Sequence, residues 1–201
     1  KIIMPENMSE QRINLMRHYG AEVVLTPASE NVEGSISAVH EYIETHERCF
    51  LADQFNNLSN TTAHFKNTAR EIWEQTNGKI DAFIAGIGTG GTLKGVGDFL
   101  KAKNTNIYLA AVLPADSPHV IQGIGDGFDP PFFKNNENID EVIKITNDEA
   151  MQYFDWINNA EAQSAGISSG ANLCAALKLA KAKPELRNIV IMCADGIDRY
   201  K

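Results

Sequence analysis

The residues best suited to chemistry lie in a glycine-rich segment, Ala85–Thr92, which reads Ala-Gly-Ile-Gly-Thr-Gly-Gly-Thr. It follows the apolar run Ile80–Ala85, which predicts a buried strand, and a helix is predicted from about Thr92. Glycines let backbone N–H groups approach an anion, and a helix adds the positive end of its dipole. The pattern therefore predicts a small ligand with a phosphate group. The four glycines and two threonines of the segment are expected to form this site.

The same segment permits two other interpretations. Gly86, Gly88 and Gly91 satisfy G-x-G-x-x-G, the fingerprint of nicotinamide dinucleotide sites, with Asp116 after the next predicted strand as a ribose-binding acid. The two threonines of the segment fit a terminal phosphate better than a pyrophosphate bridge. A third alternative is a turn whose glycines only allow strand and helix to pack closely.

Composition narrows the class of protein. The 201 residues are 43% hydrophobic and 22% charged, as in an ordinary globular protein, and the net charge of −8 argues against nucleic acid as a partner. Cys49, Cys174 and Cys193 are odd in number and widely spaced, and no C-x-x-C pair indicates a metal site. We expect reduced thiols in a cytoplasmic protein, with no metal centre, signal peptide or membrane span.

Strands alternate with helices along most of the sequence, which predicts an α/β fold with a parallel sheet flanked by helices. A long glycine- and proline-rich loop is expected over Pro114–Phe133, a length that is usual for functional loops. The predicted strands are Glu22–Thr26, Ile80–Ala85, Ile107–Leu113, Val142–Ile145 and Asn188–Met192. The predicted helices begin near Ser9, which is expected to act as an N-cap, and cover Ser35–His46, Thr61–Thr76, Thr92–Lys101, Asp148–Ala160 and Ser169–Ala182.

Five motifs occur in an order that resembles one enzyme family. They are Met4–Ser9, Gln54–Asn57, Gly88–Thr92, Gln122–Gly125 and Gly166–Gly170. Together they resemble cysteine synthase (O-acetylserine sulfhydrylase) and its relative cystathionine β-synthase. These are pyridoxal-phosphate enzymes of the tryptophan-synthase-β fold, also called fold type II, and the resemblance covers essentially the whole sequence.

The resemblance implies roles for particular positions. Gly88–Thr92 would hold the phosphate of pyridoxal 5'-phosphate, and Ser168 would hydrogen-bond its pyridine nitrogen. Gln54 would bind the substrate carboxylate, and Gly123 and Gly125 would line the face beside the cofactor. A serine in place of an aspartate leaves the ring nitrogen largely unprotonated, which favours β-elimination over deeper carbanion chemistry.

Several of these residues also have plain structural interpretations. Ser168 and Ser169 precede an apolar helix, so either could be its N-cap, and Ser169 could cap while Ser168 faces the ring. Gln54 could be a polar loop residue. His119 is expected to be an exposed loop histidine, and His64 to lie on a helix surface in a structural role.

The sequence also departs from the family pattern. In the family a lysine in a P-S-x-K-D-R segment forms the Schiff base, and a T-S-G-N-T-G loop binds the substrate, both upstream of the M-P-E motif. Neither segment occurs in the 201 residues, so we expect no catalytic residue in this chain, and we expect the chain to be a fragment. The Ala194–Tyr200 segment resembles the family's S-G-E-R-Y segment but carries Asp195. This variant is closer to the cystathionine β-synthase branch of the family.

The resemblance implies a transferase or lyase of cysteine biosynthesis. It would catalyse β-replacement, making L-cysteine from O-acetylserine, or a similar β-substituted alanine, and sulfide, and it would form a homodimer. The alternatives are a cystathionine β-synthase, a cysteine desulfhydrase that releases hydrogen sulfide, and a non-catalytic binding protein. Residues 1–50 would be the remnant of a small mobile domain, and 51–201 the large cofactor-binding domain.

Overall fold

The structure is a computed structural model that describes residues 1–125 and 127–200. Positions 126 and 201, which fall in the predicted long loop and in the predicted large domain, lie outside the described residues. The chain divides into two compact units. The first contains Lys1–Ala52 and two short segments from later in the sequence, and the second contains Asp53–Gly125 and Asp129–Gly196.

The first unit has a two-stranded parallel sheet of its own. Its elements are β1 (Ile2–Pro5), α1 (Glu10–His18), β2 (Val23–Thr26) and α2 (Asn31–Thr45). The two strands pair in parallel, with Ile3 opposite Val24. A buried hydrogen bond of 2.6 Å joins the hydroxyls of Thr26 and Ser35, so it fastens α2 to the end of β2.

Ser9 does not cap α1 as expected. The helix does begin directly after it, at Glu10, but the Ser9 hydroxyl makes no capping bond and donates to the Arg199 carbonyl at 2.9 Å. The described residues 197–200 cluster with the first unit, in contrast to the single domain predicted over 51–201.

The second unit is a parallel α/β structure. Its strands are β3 (Ala82–Gly86), β4 (Tyr108–Pro114), β5 (Glu141–Ile145) and β6 (Ile189–Ile191). Its helices are α3 (Ser59–Ala63), α4 (Ala69–Gln75), α5 (Gly91–Lys103), α6 (Pro131–Lys134), α7 (Asn147–Asn159) and α8 (Ile167–Ala182).

The four strands lie in the order β5-β4-β3-β6 and all pair in parallel. Because side chains alternate across a strand, β3 buries Phe83 in a core with Leu93 and Val96 of α5, while α8 packs against all four strands. Along the described part of the chain, no helix is long and apolar enough to cross a membrane.

Helices α3 and α4 correspond to the single long helix predicted over Thr61–Thr76. A π-helical turn, His64–Thr68, joins them. Such turns insert an extra residue into an α-helix and are frequent at functional sites. Here the first residues of the turn face α5, since a Cβ on Gly95 would lie 2.8 Å from the His64 Cβ and 3.0 Å from the Phe65 nitrogen.

Candidate functional site

The glycine-rich segment forms a turn between β3 and α5, at the carboxyl edge of the sheet, as the sequence predicts. Gly90 has φ +80° and is the residue from which α5 starts, and a Cβ there would lie 2.7 Å from the Phe133 nitrogen. A Cβ on Gly88 would clash with the Gly123 carbonyl. The turn can therefore adopt this shape only with glycine at both positions.

The backbone amides of this turn have few protein partners. The N–H groups of Gly88, Thr89, Gly90 and Thr92 make no hydrogen bond to any described residue, and only Gly91 donates, to the Thr89 hydroxyl at 3.1 Å. Unpaired amides at the start of a helix are an anion-binding arrangement, since the dipole and the N–H groups act together. We call these five residues the cradle.

The Thr89 hydroxyl is held on two sides. It accepts from the Gly91 amide and from Asn60 Nδ2, which is 3.0 Å away. Asn60 belongs to α3, and its Nδ2 also donates to the Gln54 carbonyl at 2.7 Å. The cradle is thus linked through Asn60 to the loop that carries Gln54.

The Thr92 hydroxyl contacts a histidine. His64 Nε2 lies 3.1 Å from Thr92 Oγ1, and His64 Nδ1 lies 3.0 Å from Thr68 Oγ1. Burial lowers the pKa of His64, because a charged imidazole loses hydration there. A neutral imidazole therefore bridges the two hydroxyls at neutral pH. His64 lies beside the cradle and is half-buried, which corrects the expectation that it is a plain helix-surface residue.

The second glycine loop lies against the cradle. The Gly125 amide donates to the Ile87 carbonyl at 2.9 Å, and the Gly123 carbonyl is the atom that leaves no room for a Cβ on Gly88. His119 Nε2 lies 3.1 Å from the Gly125 carbonyl, and His119 is half-buried rather than exposed as expected. The structure therefore brings Gly123 and Gly125 to the edge of the cradle.

Ser168 lies in the first turn of α8, which begins at Ile167 with Gly166 as its N-cap residue. No side chain caps this helix, so the prediction that Ser168 or Ser169 is the cap is wrong. The Ser168 side chain is buried, at 6% exposure, and no described residue is a hydrogen-bond partner of its hydroxyl. A hydroxyl held this way is available to a ligand group.

The start of α8 lies near the end of β3. Asn172, one helical turn beyond Ser168, has its Oδ1 3.6 Å from where a Cβ of Gly86 would stand. Its Nδ2 donates to the Met192 carbonyl at 2.7 Å, which fixes the side chain, while Oδ1 is buried without a partner in the described chain. Ser168 and the cradle therefore occupy the same edge of the sheet.

Two further sequence expectations concern Gln54 and Asp116. Gln54 has an exposed side chain, and only its backbone is brought to the cradle, by Asn60. The Asp116 carboxylate accepts from the Asn147 amide, so it fastens the start of α7 to the loop after β4. It is therefore engaged in the fold, in contrast to the ribose-binding role considered for it.

Comparison with known proteins identifies the cofactor that the cradle suits. A family model described as "Pyridoxal-phosphate dependent enzyme" matches residues 1–195. Cysteine synthase of Staphylococcus aureus (strain Mu50) is 42% identical over 207 residues, which cover 98% of this chain and 66% of that protein. The chain thus spans just under two thirds of the length of this curated relative.

Solved structures of similar enzymes superpose closely on this chain. The O-acetylserine-dependent cystathionine β-synthase of Helicobacter pylori superposes with a TM-score of 0.93 at 35% identity, covering 98% of this chain and 67% of that one. A hydrogen sulfide-producing enzyme of Fusobacterium nucleatum has a TM-score of 0.93 at 34% identity, covering 100% of this chain and 71% of that one.

The residues present suit pyridoxal phosphate on their own chemistry. Its phosphate has only acceptor oxygens at neutral pH, and the cradle offers unpaired N–H donors in front of a helix dipole. Its ring nitrogen needs one hydrogen-bonding group, and Ser168 has a buried hydroxyl that is not otherwise used. With its parallel sheet, its cradle and the match over residues 1–195, the chain belongs to the pyridoxal-phosphate-dependent enzyme family, in the branch of fold type II.

Proposed function

We propose that this chain binds pyridoxal 5'-phosphate through Gly88–Thr92 and serves a β-replacement that makes L-cysteine. The substrates would be O-acetylserine, or a similar β-substituted alanine, and sulfide. The observation that carries the proposal is the set of four unpaired amides in front of α5. The identity of 42% to a cysteine synthase supports the choice of reaction.

The cradle has enough donors to anchor the cofactor. A hydrogen bond to a charged group contributes roughly 1.5–3 kcal/mol, and a helix terminus contributes about 0.3–1 kcal/mol. Four amides and two threonine hydroxyls at Gly88–Thr92 together therefore suffice for tight binding of a phosphate, although the chain as a whole carries a net charge of −8. The attraction is local and comes from backbone dipoles.

When bound, pyridoxal phosphate supplies an electron-withdrawing ring that stabilises negative charge at the substrate Cα and so permits loss of a β leaving group. Ser168 would hydrogen-bond the ring nitrogen with a neutral hydroxyl, which keeps that nitrogen largely unprotonated. This limits the electron withdrawal to what β-elimination needs. Gln54 would bind the substrate carboxylate, while Gly123 and Gly125 would form the wall that excludes water from the reacting atoms.

A second reaction type has support of its own. The Fusobacterium nucleatum relative is described as a hydrogen sulfide-producing enzyme, and the Helicobacter pylori relative as a cystathionine β-synthase. The Ala194–Tyr200 segment, with its Asp195, is closer to the latter branch. Release of sulfide from cysteine, and synthesis of cystathionine, are therefore the alternative activities.

The setting that we propose is a cytoplasmic homodimer that acts on small molecules and binds no nucleic acid. The acidic net charge supports the last point, because it repels a phosphate backbone. The family resemblance supports the homodimer, and the three free cysteines support the cytoplasm. Sedimentation of the purified protein tests the dimer directly.

The reaction is tested in a fusion, because the 201 residues contain neither the lysine-bearing segment nor the T-S-G-N-T-G loop of the family. The segment of the Staphylococcus aureus enzyme that precedes its M-P-E motif is joined ahead of Lys1, with a lysine-to-alanine version as control. The fusion is loaded with cofactor and given O-acetylserine with sulfide, O-acetylserine with homocysteine, or cysteine alone. Products are quantified by mass spectrometry.

We expect cysteine from the first mixture, and none from the alanine control. Cystathionine from the homocysteine mixture, or sulfide from cysteine alone, as the main product would favour the alternative activities. Cofactor binding without any product would favour a non-catalytic binding protein. Failure of both the fusion and the 201-residue chain to bind pyridoxal phosphate would overturn the proposal.

A further inference from the structure

We infer that Asn60 is a positioning residue that commits the Thr89 hydroxyl to donate its proton to the phosphate of the cofactor. The inference rests on the proposed function, because it specifies how one group of the cradle is used. Asn60 lies outside the glycine-rich segment and belongs to a different helix, α3. It reaches the cradle only through the fold.

The orientation of the Asn60 amide is fixed by the Gln54 carbonyl. A carbonyl oxygen only accepts hydrogen bonds, so the group 2.7 Å from it must be Nδ2 rather than Oδ1. The amide nitrogen carries two protons. One goes to Gln54, and the other points to Thr89 Oγ1 at 3.0 Å. Both donors of Asn60 are thereby used.

The Thr89 hydroxyl can therefore act toward a ligand only as a hydrogen-bond donor. A hydroxyl offers one proton and two lone pairs. Asn60 Nδ2 and the Gly91 amide, at 3.0 and 3.1 Å, occupy both lone pairs. No acceptor for the remaining proton exists among the described residues. The hydroxyl is thus prepared to donate, and a phosphate oxygen is an acceptor.

Close packing of α3 on α5 holds Asn60 in this place. A Cβ on Gly91 would clash with the Asn60 side chain, and a Cβ on Gly95 would clash with the Thr61 carbonyl and lie 2.8 Å from the His64 Cβ. The two helices therefore meet at their backbones, and Asn60 fills the space beside Gly91. This contact leaves the amide little room to turn away from Thr89.

The test replaces Asn60 by aspartate, which has nearly the same shape but donates no hydrogen bond. Thr89 would then turn its proton toward the new carboxylate, and the added charge would stand beside the phosphate. We expect affinity for pyridoxal phosphate to fall about ten- to hundredfold, the loss of one charge-assisted hydrogen bond. Affinity for pyridoxal, which has no phosphate, should change less than twofold.

A matched control tests whether an added negative charge away from the cradle weakens binding by itself. Asn67 is exposed and lies seven residues further along the same helical stretch, in the π-turn, so Asn67→Asp adds the same charge without touching the cradle. We expect Asn67→Asp to bind pyridoxal phosphate within twofold of the wild type. Binding is measured by calorimetric titration of the 201-residue chain.

A double-mutant cycle tests whether Asn60 acts through Thr89. Asn60→Ala and Thr89→Val are measured singly and together. If Asn60 works by setting the Thr89 proton, Asn60→Ala should weaken binding of pyridoxal phosphate several-fold in the wild type and hardly at all in the valine background. Urea unfolding of each unliganded variant shows that it is folded under the titration conditions.

Three results would overturn the inference. They are equal affinity of Asn60→Asp and Asn67→Asp for pyridoxal phosphate, an equal loss for pyridoxal, and full additivity of Asn60→Ala with Thr89→Val. Absence of binding by both the wild-type chain and the fusion is a different outcome, because it would refute the proposed function itself. A wild type that binds while Asn60→Asp binds equally well refutes only the role of Asn60.

Discussion

Replacing Gly90 by alanine should destabilise the chain for two separable reasons. The residue has φ +80°, where a side chain is strained, and the new Cβ would lie 2.7 Å from the Phe133 nitrogen. That nitrogen cannot simply move away. It donates to the Pro130 carbonyl at 2.9 Å, in a hydrogen bond of the first turn of α6.

The magnitude follows from the two terms. A left-handed conformation costs a residue with a Cβ about 1–2 kcal/mol. Forcing a methyl group into a packed position costs about 1–3 kcal/mol, and the atoms in the way are backbone atoms, which yield less than a side chain. We therefore expect the free energy of unfolding of Gly90→Ala to fall by about 2–5 kcal/mol.

Gly123 provides the matched control. It belongs to the same unit and has φ +85°, but nothing lies within 4 Å of the position of its Cβ. Gly123→Ala therefore carries the backbone strain without the clash, and its cost should be only about 1–2 kcal/mol. Urea unfolding of both unliganded variants, followed by circular dichroism, measures the difference. A Gly90→Ala variant no less stable than Gly123→Ala would refute the steric argument.

Further outcomes follow from the packing and titration of other residues. Gly170→Ala should lower the free energy of unfolding by about 1–3 kcal/mol, measured in urea, because its Cβ would lie 2.5 Å from the Phe154 nitrogen where α8 crosses α7. Burial lowers the pKa of His64, so the unfolded state takes up more protons as the pH falls below 6.5, and stability is lost there. His64→Gln should reduce that slope in urea unfolding between pH 7.5 and 5.5, and an unchanged slope would contradict this account. Ser168→Ala should weaken binding of pyridoxal phosphate about two- to tenfold by titration, and Ser168→Asp should change the absorbance of the bound cofactor; an unchanged affinity of the alanine variant would exclude the ring contact.

Much of the fold could be predicted, because strands and helices alternate with clear apolar runs. The sheet strands β3, β4 and β5 lie within a few residues of their predicted bounds, and the parallel order follows from the alternation. The apolar run predicts that β3 starts two residues earlier than it does, since Ile80 is buried but precedes the strand. An apolar residue can be buried without taking part in the backbone hydrogen bonds of the sheet.

The caps of α1 and α8 and the π-turn could not be predicted. Ser9 has the right residue type for a cap, but the Arg199 carbonyl, 190 positions away in the sequence, takes its proton. Periodicity describes Thr61–Thr76 as one helix because a π-turn shifts the pattern by one residue only. A long-range partner decided the outcome at Ser9, and the small shift in periodicity decided it at the π-turn.

The glycines and threonines of the cradle could be recognised because their spacing is local. The contacts of Asn60 and His64 with Thr89 and Thr92 could not, since they depend on how closely α3 approaches α5. A weak signal did exist. Asn60 and His64 are four residues apart, so they share one helix face, and Gly91 and Gly95 repeat that spacing on the opposing helix.

Amide chemical shifts test the central claim most directly, namely that the unpaired N–H groups of the cradle bind the phosphate of pyridoxal phosphate. The amide resonances of Gly88, Thr89, Gly90 and Thr92 are followed by nitrogen-15 NMR during titration of the wild-type chain with the cofactor. The account predicts that these four move together and saturate with one cofactor per chain. Binding that leaves all four resonances unmoved would contradict it.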